Sequence, residues 1–196
     1  MDRQTREKIK KIAGMFGYKA QHLARIVPYR AVHEKLKDLN APEADVLEIG
    51  SGYYWKYHET FGNYTAMDYP DYDICHYVLE KEFDIIIADN VFEHLKFPAR
   101  AAKHVHEMLR PGGTFINLTP FLIRYHYVPI DCTRWTETGM KYFLVEAGFE
   151  EDNIETGGWG NRAAVKANLN RFVRGGFRSL RNEKNFPLTV WAFAKK

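Results

Sequence analysis

Val46-Leu47-Glu48-Ile49-Gly50-Ser51-Gly52 reads as a buried strand running straight into a glycine turn. An acidic residue, Asp68, follows 18 positions after Gly50, at the end of a second apolar run, Tyr64-Thr65-Ala66-Met67. Glycines let a backbone turn tightly and approach a ligand closely, and a carboxylate at the tip of the next strand accepts hydrogen bonds from ribose hydroxyls. The layout is that of a nucleoside-binding α/β domain. A dinucleotide site wants a third glycine, for close helix packing, at the place where this chain has Trp55, so a bound pyrophosphate is disfavoured.

Around this stretch the chain alternates strand and helix signals, which argues a mostly parallel sheet with right-handed crossovers. Strands are expected at 46–49, 63–67, 84–88, 114–119, 150–156 and 188–194. A helix is expected from Phe97 to Leu109, opened by Pro98 and stopped by Pro111-Gly112-Gly113. Another is expected after Thr136, with Thr136 as its cap and Gly148 as its stop. Upstream, Ile9, Ile12, Ala13 and Phe16 mark a first amphipathic helix; a second, around Gln21 to Val27, is expected to break at Pro28; a third follows from Tyr29. The expected division is an N-terminal helical cap over residues 1–40 and a main domain over 41–196.

Four stretches in order extend the reading: Glu48-Ile49-Gly50-Ser51-Gly52 with Asp68; Phe83-Asp84-Ile85-Ile86-Ile87-Ala88-Asp89-Asn90-Val91-Phe92-Glu93-His94-Leu95; Leu109-Arg110-Pro111-Gly112-Gly113-Thr114-Phe115; and Arg134-Trp135-Thr136-Glu137-Thr138-Gly139 leading to Glu146-Ala147-Gly148-Phe149. Together they resemble the motifs of class I S-adenosylmethionine-dependent methyltransferases, in the small-molecule branch often called type 11. The resemblance implies a Rossmann-like, mostly parallel sheet with helices on both faces and an antiparallel last strand. It implies S-adenosyl-L-methionine as cofactor and a small-molecule acceptor, with transfer to an oxygen of a glycan precursor or metabolite as the expected reaction.

Two departures from that pattern stand out. Only 14 residues separate Asp68 from Phe83, too few for a helix, a strand and their connections, so the third-strand region is expected to be truncated to a short edge segment near Ile74 to Val78. From Gly157 to Pro187 there is room for more than a hairpin, and a basic helical insertion is expected near residues 158–186.

The resemblance places Gly50, Ser51 and Gly52 under the methionine half of the cofactor, Glu48 toward its amino end, Asp68 on the ribose and Tyr69 beside the adenine. Asp73 and Ile74 join the adenine pocket if the truncated segment folds back over it. Asp89 and Asn90, just beyond a strand at the sheet's ligand edge, fit contacts to the amino-acid portion, and as helix-capping types they fit a structural role too. The run Tyr53, Tyr54, Trp55, Tyr57 and Phe61 reads either as core or as a wall near the sulfonium.

An acceptor hydroxyl that must lose a proton calls for a histidine with a pKa near neutrality. His126 ranks first, because its loop leaves the fifth expected strand at the ligand edge, and Asp131 is expected to orient it. Arg124 and Arg134 could grip an anionic acceptor. His94 reads as a packing residue. His104 and His106 are two apart on a helix and face different ways, so no metal site is expected.

The 196 residues and 45% hydrophobic content suit one globular domain, without an apolar run long enough to span a membrane or an apolar signal-peptide core, so the expected compartment is the cytoplasm. Cys75 and Cys132 show no metal or redox spacing and are expected as buried thiols. The net charge of +3 hides an asymmetry: residues 1–37 carry ten Lys and Arg against three Asp and Glu, residues 162–184 carry seven against one, and residues 38–161 are near −12. The basic ends leave two alternatives open: a nucleic-acid methyltransferase, unlikely because 88–91 read Ala-Asp-Asn-Val rather than an exocyclic-amine motif, and a non-catalytic nucleoside-binding module. Homo-oligomerisation stays open.

Overall fold

The computed structural model describes residues 14, 15, 17–50, 52 and 54–196. The first expected helix falls almost wholly outside them, as do Ser51 and Tyr53. The described chain forms strands β1 (Lys19–His22), β2 (Asp45–Ile49), β3 (Asn63–Met67), β4 (Phe83–Asp89), β5 (Leu109–Pro120), β6 (Ile154–Trp159), β7 (Arg174–Gly176) and β8 (Thr189–Lys195). Its helices are α1 (Leu23–Asp38), α2 (Tyr54–His58), α3 (Pro98–Met108), α4 (Glu137–Glu146) and α5 (Arg162–Asn168).

Six strands build the central sheet in the order β3-β2-β4-β5-β8-β6. The pairs β2–β3, β2–β4 and β4–β5 are parallel, and β8 runs antiparallel to both β5 and β6, as expected for the last strand. Successive residues of the inner strands feed opposite faces. Leu47, Ile86 and Phe115 pack with α3 and α4, whereas Val46, Ile85, Ile87 and Ile116 pack with α1 and Trp55. A sheet buried on both sides explains why these strands read as nearly continuous apolar runs.

The strand order reverses around β2, whose neighbours β3 and β4 lie on opposite sides. In open α/β sheets that switch point leaves a crevice at the carboxyl ends of the strands. Register makes those ends flush: Ile49 pairs with Met67 on one side and with Ala88 on the other. Gly50, Asp68 and Asp89 therefore emerge side by side.

Several boundaries differ from the sequence reading for identifiable reasons. Pro28 does not break the N-terminal helix; α1 runs through it. A proline cannot donate to the carbonyl four residues earlier, and here the Thr189 hydroxyl supplies the missing bond to the Ala24 oxygen at 2.9 Å. Gln21 belongs to β1, not to a helix. Pro111-Gly112-Gly113 lies within β5, which begins immediately after α3. A 3-10 turn over Glu151–Asn153 delays β6 to Ile154. Thr136 does cap α4, its Oγ accepting from the Gly139 N–H at 3.0 Å, and Gly148 follows it with φ of 112°.

The short stretch after Asp68 forms no edge strand near Ile74 to Val78. It folds as successive turns that sink Tyr72, Ile74 and Cys75 into the core, with the His104 ring hydrogen-bonded to the Ile74 carbonyl at 2.7 Å. Fourteen residues suffice to plug that end of the core but not to cross it. Strand β3 is left as the sheet edge.

The insertion contains the short helix α5, capped by Asn161, whose Oδ1 accepts from the Ala164 N–H at 2.8 Å. It continues into β7, which pairs antiparallel with β1. Leu23 and Ile26 of α1 share a core cluster with Trp159, Ala164 and Leu188. The described part of the N-terminal basic segment is thus packed against the second basic segment. Cys75 is buried, but Cys132 is exposed on the loop after β5, against expectation.

Candidate functional site

Gly50 is the tightest point of the switch-point crevice. Its φ is +104°, and an added Cβ would stand 2.8 Å from Val91 Cγ2, so the turn fits only a glycine. Its N–H donates to the Met67 carbonyl at 2.8 Å, tying the turn to β3. Gly50→Val is expected to destabilise the fold by about 2 kcal/mol or more through the forced backbone conformation and this contact, measurable by chemical denaturation. A variant as stable as the parent would show that the turn is not under this constraint.

Glu48 is buried beside the turn and accepts a hydrogen bond from the Tyr64 hydroxyl. Asp68 is half-buried at the tip of β3, its main-chain oxygen accepting from the Tyr72 N–H at 2.9 Å. The Tyr69 side chain is 74% exposed and free of the core. Asp73 instead serves its own turn, accepting from the Cys75 N–H and the His76 ring at 2.9 Å each, and the Ile74 side chain lies in the core. Trp55 is wholly buried against Tyr29, which makes it core, while Tyr57 is exposed.

Asp89 and Asn90 close the crevice on the β4 side. Asn90 has φ of 56° and donates its N–H to the Leu118 carbonyl at 2.9 Å, while its side-chain amide donates to Asp89 Oδ1 at 2.6 Å. The second Asp89 oxygen accepts from the Tyr29 hydroxyl, carried by α1. Burial pushes the Asp89 carboxyl above its ordinary value, against the pull of Arg25 and of the Tyr29 bond. Burial and the neighbouring Asp89 also raise the Tyr29 hydroxyl far above the usual phenol range, so it stays a donor. The N-terminal segment thus reaches the site through Tyr29, which its place on an apolar helix face did not reveal.

An acid whose folded pKa is raised binds more protons folded than unfolded. Its contribution to stability is present below 3.8 and is lost as pH rises through the folded value. Tyr29→Phe removes a bond to the charged form, so its cost, about 1–3 kcal/mol with the carboxyl ionised, should be larger at about pH 9 than at about pH 4. Denaturation at both pH values checks this, and an equal loss at the two would refute it.

The second half of the site lies three residues beyond Asn90, in the 3-10 turn Phe92–His94. Glu93 is 0% exposed, and neither of its carboxylate oxygens has a hydrogen-bond partner. Its Oε1 lies 3.4 Å from His126 Nδ1 and 3.6 Å from His94 Nε2. The loop after β5 is pinned there by its backbone, since the Glu93 carbonyl accepts from Cys132 N–H at 2.7 Å and Thr133 N–H at 3.3 Å. The two histidine rings stand 4.6 Å apart between centroids, and the Ile130 carbonyl accepts from His94 Nδ1.

Asp131 does not orient the His126 ring. Its carboxylate accepts both from the His126 main-chain N–H, at 2.5 Å, and from the Arg134 guanidinium. It therefore shapes the loop, and Glu93 is the acid facing the ring. Arg134 is spent on Asp131, and Arg124 donates to the Asn170 carbonyl at 2.7 Å. Glu93 went unsingled in the sequence as a site residue, although its place beside His94 was the available signal. Next to the cluster, a groove of about 350 Å³ is lined by Phe121, Ile123, Tyr125, Asp131, Cys132 and Arg134. Tyr125 and Tyr127 of the same loop are exposed, 5.9 Å apart between ring centroids.

A reversed strand order, a glycine turn at the switch point and carboxylates at the two flanking strand ends define a class I methyltransferase architecture. The family model described as "Methyltransferase domain" matches residues 16–142, and the chain belongs to that family. It is an S-adenosylmethionine-dependent methyltransferase. No curated protein matches the sequence.

Solved structures share the fold at low identity. A methyltransferase from Mesorhizobium loti is 15% identical, with 83% of this chain and 96% of that one covered and a TM-score of 0.57. One from Archaeoglobus fulgidus is 14% identical, covering 85% and 94%, with a TM-score of 0.52. The N-methyltransferase NodS from Bradyrhizobium japonicum, solved with S-adenosyl-L-homocysteine, is 16% identical, covering 86% and 87%, with a TM-score of 0.51. At such identities the likeness is one of fold.

The crevice residues fit the cofactor: a turn that admits no side chain at Gly50, a half-buried Asp68 at a strand tip, and polar groups at the end of β4. Among the described residues, no helix is long and apolar enough to cross a membrane.

Proposed function

We propose that this methyltransferase acts on a hydroxyl oxygen of a small acceptor, a glycan precursor or another metabolite, seated in the groove beside the His126 loop. The observation that carries this reading is the buried Glu93 carboxylate facing His126 Nδ1 at 3.4 Å, three residues beyond the cofactor edge. The bound cofactor supplies a methyl carbon already activated by its sulfonium. What the chain must do is orient the acceptor, exclude water and take one proton.

Gly50, Ser51 and Gly52 would carry the methionine half, with Glu48, Asp89 and Asn90 around its amino-acid portion. Asp68 would hold the ribose and Tyr69 flank the adenine, with the main chain at Asp73 and Ile74 at the pocket's far side. Nδ1 of His126 faces Glu93, so Nε2 is the nitrogen open to an acceptor hydroxyl. The Glu93 charge stabilises the imidazolium that forms when the proton arrives. Asp131 contributes by holding the loop through Arg134 and the His126 N–H. The exposed Tyr125 and Tyr127 rings offer the amphipathic surface a sugar or aromatic acceptor would lie against.

The test is transfer of labelled methyl groups to a cell extract split into low-molecular-mass and nucleic-acid fractions. Label should enter the small molecules. Nucleic-acid methylation is the second reading, favoured by one observation: β1–β7 pairing brings Lys19, Arg174 and Arg178 together. Label in RNA or DNA alone would replace the first reading with it, and binding of the cofactor without any transfer would favour a non-catalytic module.

A further inference from the structure

Glu93 is a carboxylate enclosed by protein whose two oxygens find no donor, and His126 Nδ1, 3.4 Å away, is itself buried without a hydrogen-bond partner. Buried charges are ordinarily paired, hydrogen-bonded or bound to a metal. The third member, His94, donates from Nδ1 to the Ile130 carbonyl. That bond leaves the lone pair of Nε2 facing Glu93 Oε1 at 3.6 Å. An imidazole fixed through its other nitrogen by a backbone carbonyl is the usual arrangement of a metal-binding histidine.

The spacing fits as well. The three ligand atoms, one each from Glu93, His94 and His126, lie within 4.8 Å of one another. An ion about 2.1 Å from each ligand would space neighbouring ligands about 3.0 to 3.5 Å apart, so the two contacts to Glu93 need only small adjustment, while the two histidine nitrogens, within 4.8 Å, would draw together as the ion binds.

We infer that Glu93, His94 and His126 form a binding site for a first-row divalent transition-metal ion. Two imidazoles and one carboxylate suit manganese, iron, cobalt, nickel or zinc better than magnesium or calcium, which prefer all-oxygen shells. Three protein ligands leave further coordination positions for water or an acceptor oxygen. The site rests on the methyl-transfer reading only for its use: an ion there would draw an acceptor hydroxyl in and ease loss of its proton. In that state His126 is bound through Nδ1 and serves as a ligand instead of a free base. The sequence hid the trio because His126 lies 32 positions after His94 and only the loop after β5 joins them.

The experiment is calorimetric titration of chelator-treated full-length protein with manganese(II) and cobalt(II), without methyl donor or acceptor. Binding of one ion per chain is expected, with visible cobalt absorption. His126→Asn and His94→Asn should each weaken it on the order of tenfold or more, and Glu93→Gln likewise. Should Glu93→Gln fail to fold, His126→Asn keeps the test, because the His126 side chain is 28% exposed and circular dichroism can verify its fold. Absence of binding, or binding indifferent to these substitutions, overturns the inference and leaves a histidine–carboxylate contact. Ion binding without methylation of any extract component would sink the acceptor reading alone, and undiminished methylation in chelator by a protein that binds no ion would sink the metal site alone.

Discussion

His126→Ala is expected to lower kcat for the physiological acceptor by about 10²- to 10⁴-fold, the range typical of a lost proton-transfer group. The cofactor's affinity should stay within about threefold, because a change that small is below 1 kcal/mol and the described contacts of His126 involve Glu93, His94, Asp131 and Phe172, not the turn at Gly50. This split between kcat and cofactor binding separates a role in chemistry from a structural one. Steady-state kinetics with calorimetry on the same preparation reads both. A kcat within threefold of the parent would remove His126 from the reaction.

Asp68→Ala should do the reverse. A carboxylate receiving two ribose hydroxyls makes charge-assisted bonds of about 1.5–3 kcal/mol each, and losing both should weaken S-adenosylmethionine binding by about 10²- to 10⁴-fold. Asp68→Asn keeps an acceptor oxygen and should fall between. Since Asp68 is only half-buried at a strand tip, its removal should leave the melting temperature nearly unchanged. Unaltered affinity in a folded Asp68→Ala protein would mean that the ribose is held elsewhere.

The strands of the central sheet, α3 and α4 were legible because each is set by local signals: apolar runs buried on both sheet faces, Pro98 at a helix start, Thr136 at a cap. So was the cofactor edge, since glycine turns and strand-end acids are local too. Illegible were features made by distant partners. The continuity of α1 through Pro28 depends on Thr189, 165 positions after the Ala24 carbonyl it serves. The fate of residues 69–82 depended on how much core needed filling, which sent Ile74 inward. The loop after β5 holds one acid, Asp131, five positions after His126, and sequence offers it first. Arg134 claims Asp131, however, and Glu93 is delivered by another element. The truncated region and the N-terminal segment show one lesson: spacing reveals that something is missing or added, but not what takes its place.

The bond between Thr189 and Ala24, with the β1–β7 pairing, also sets an order of assembly. A chain emerging from the ribosome presents α1 well before the partners that hold it, β7 and β8. Contacts so far apart in sequence close late and are entropically expensive to form early. Until β8 is in place, α1 has no support at Pro28, and Tyr29 is not held against Asp89. The enzyme's crevice is therefore completed only once β8 has been made, and a chain without β8 carries the sheet's parallel half without a finished site.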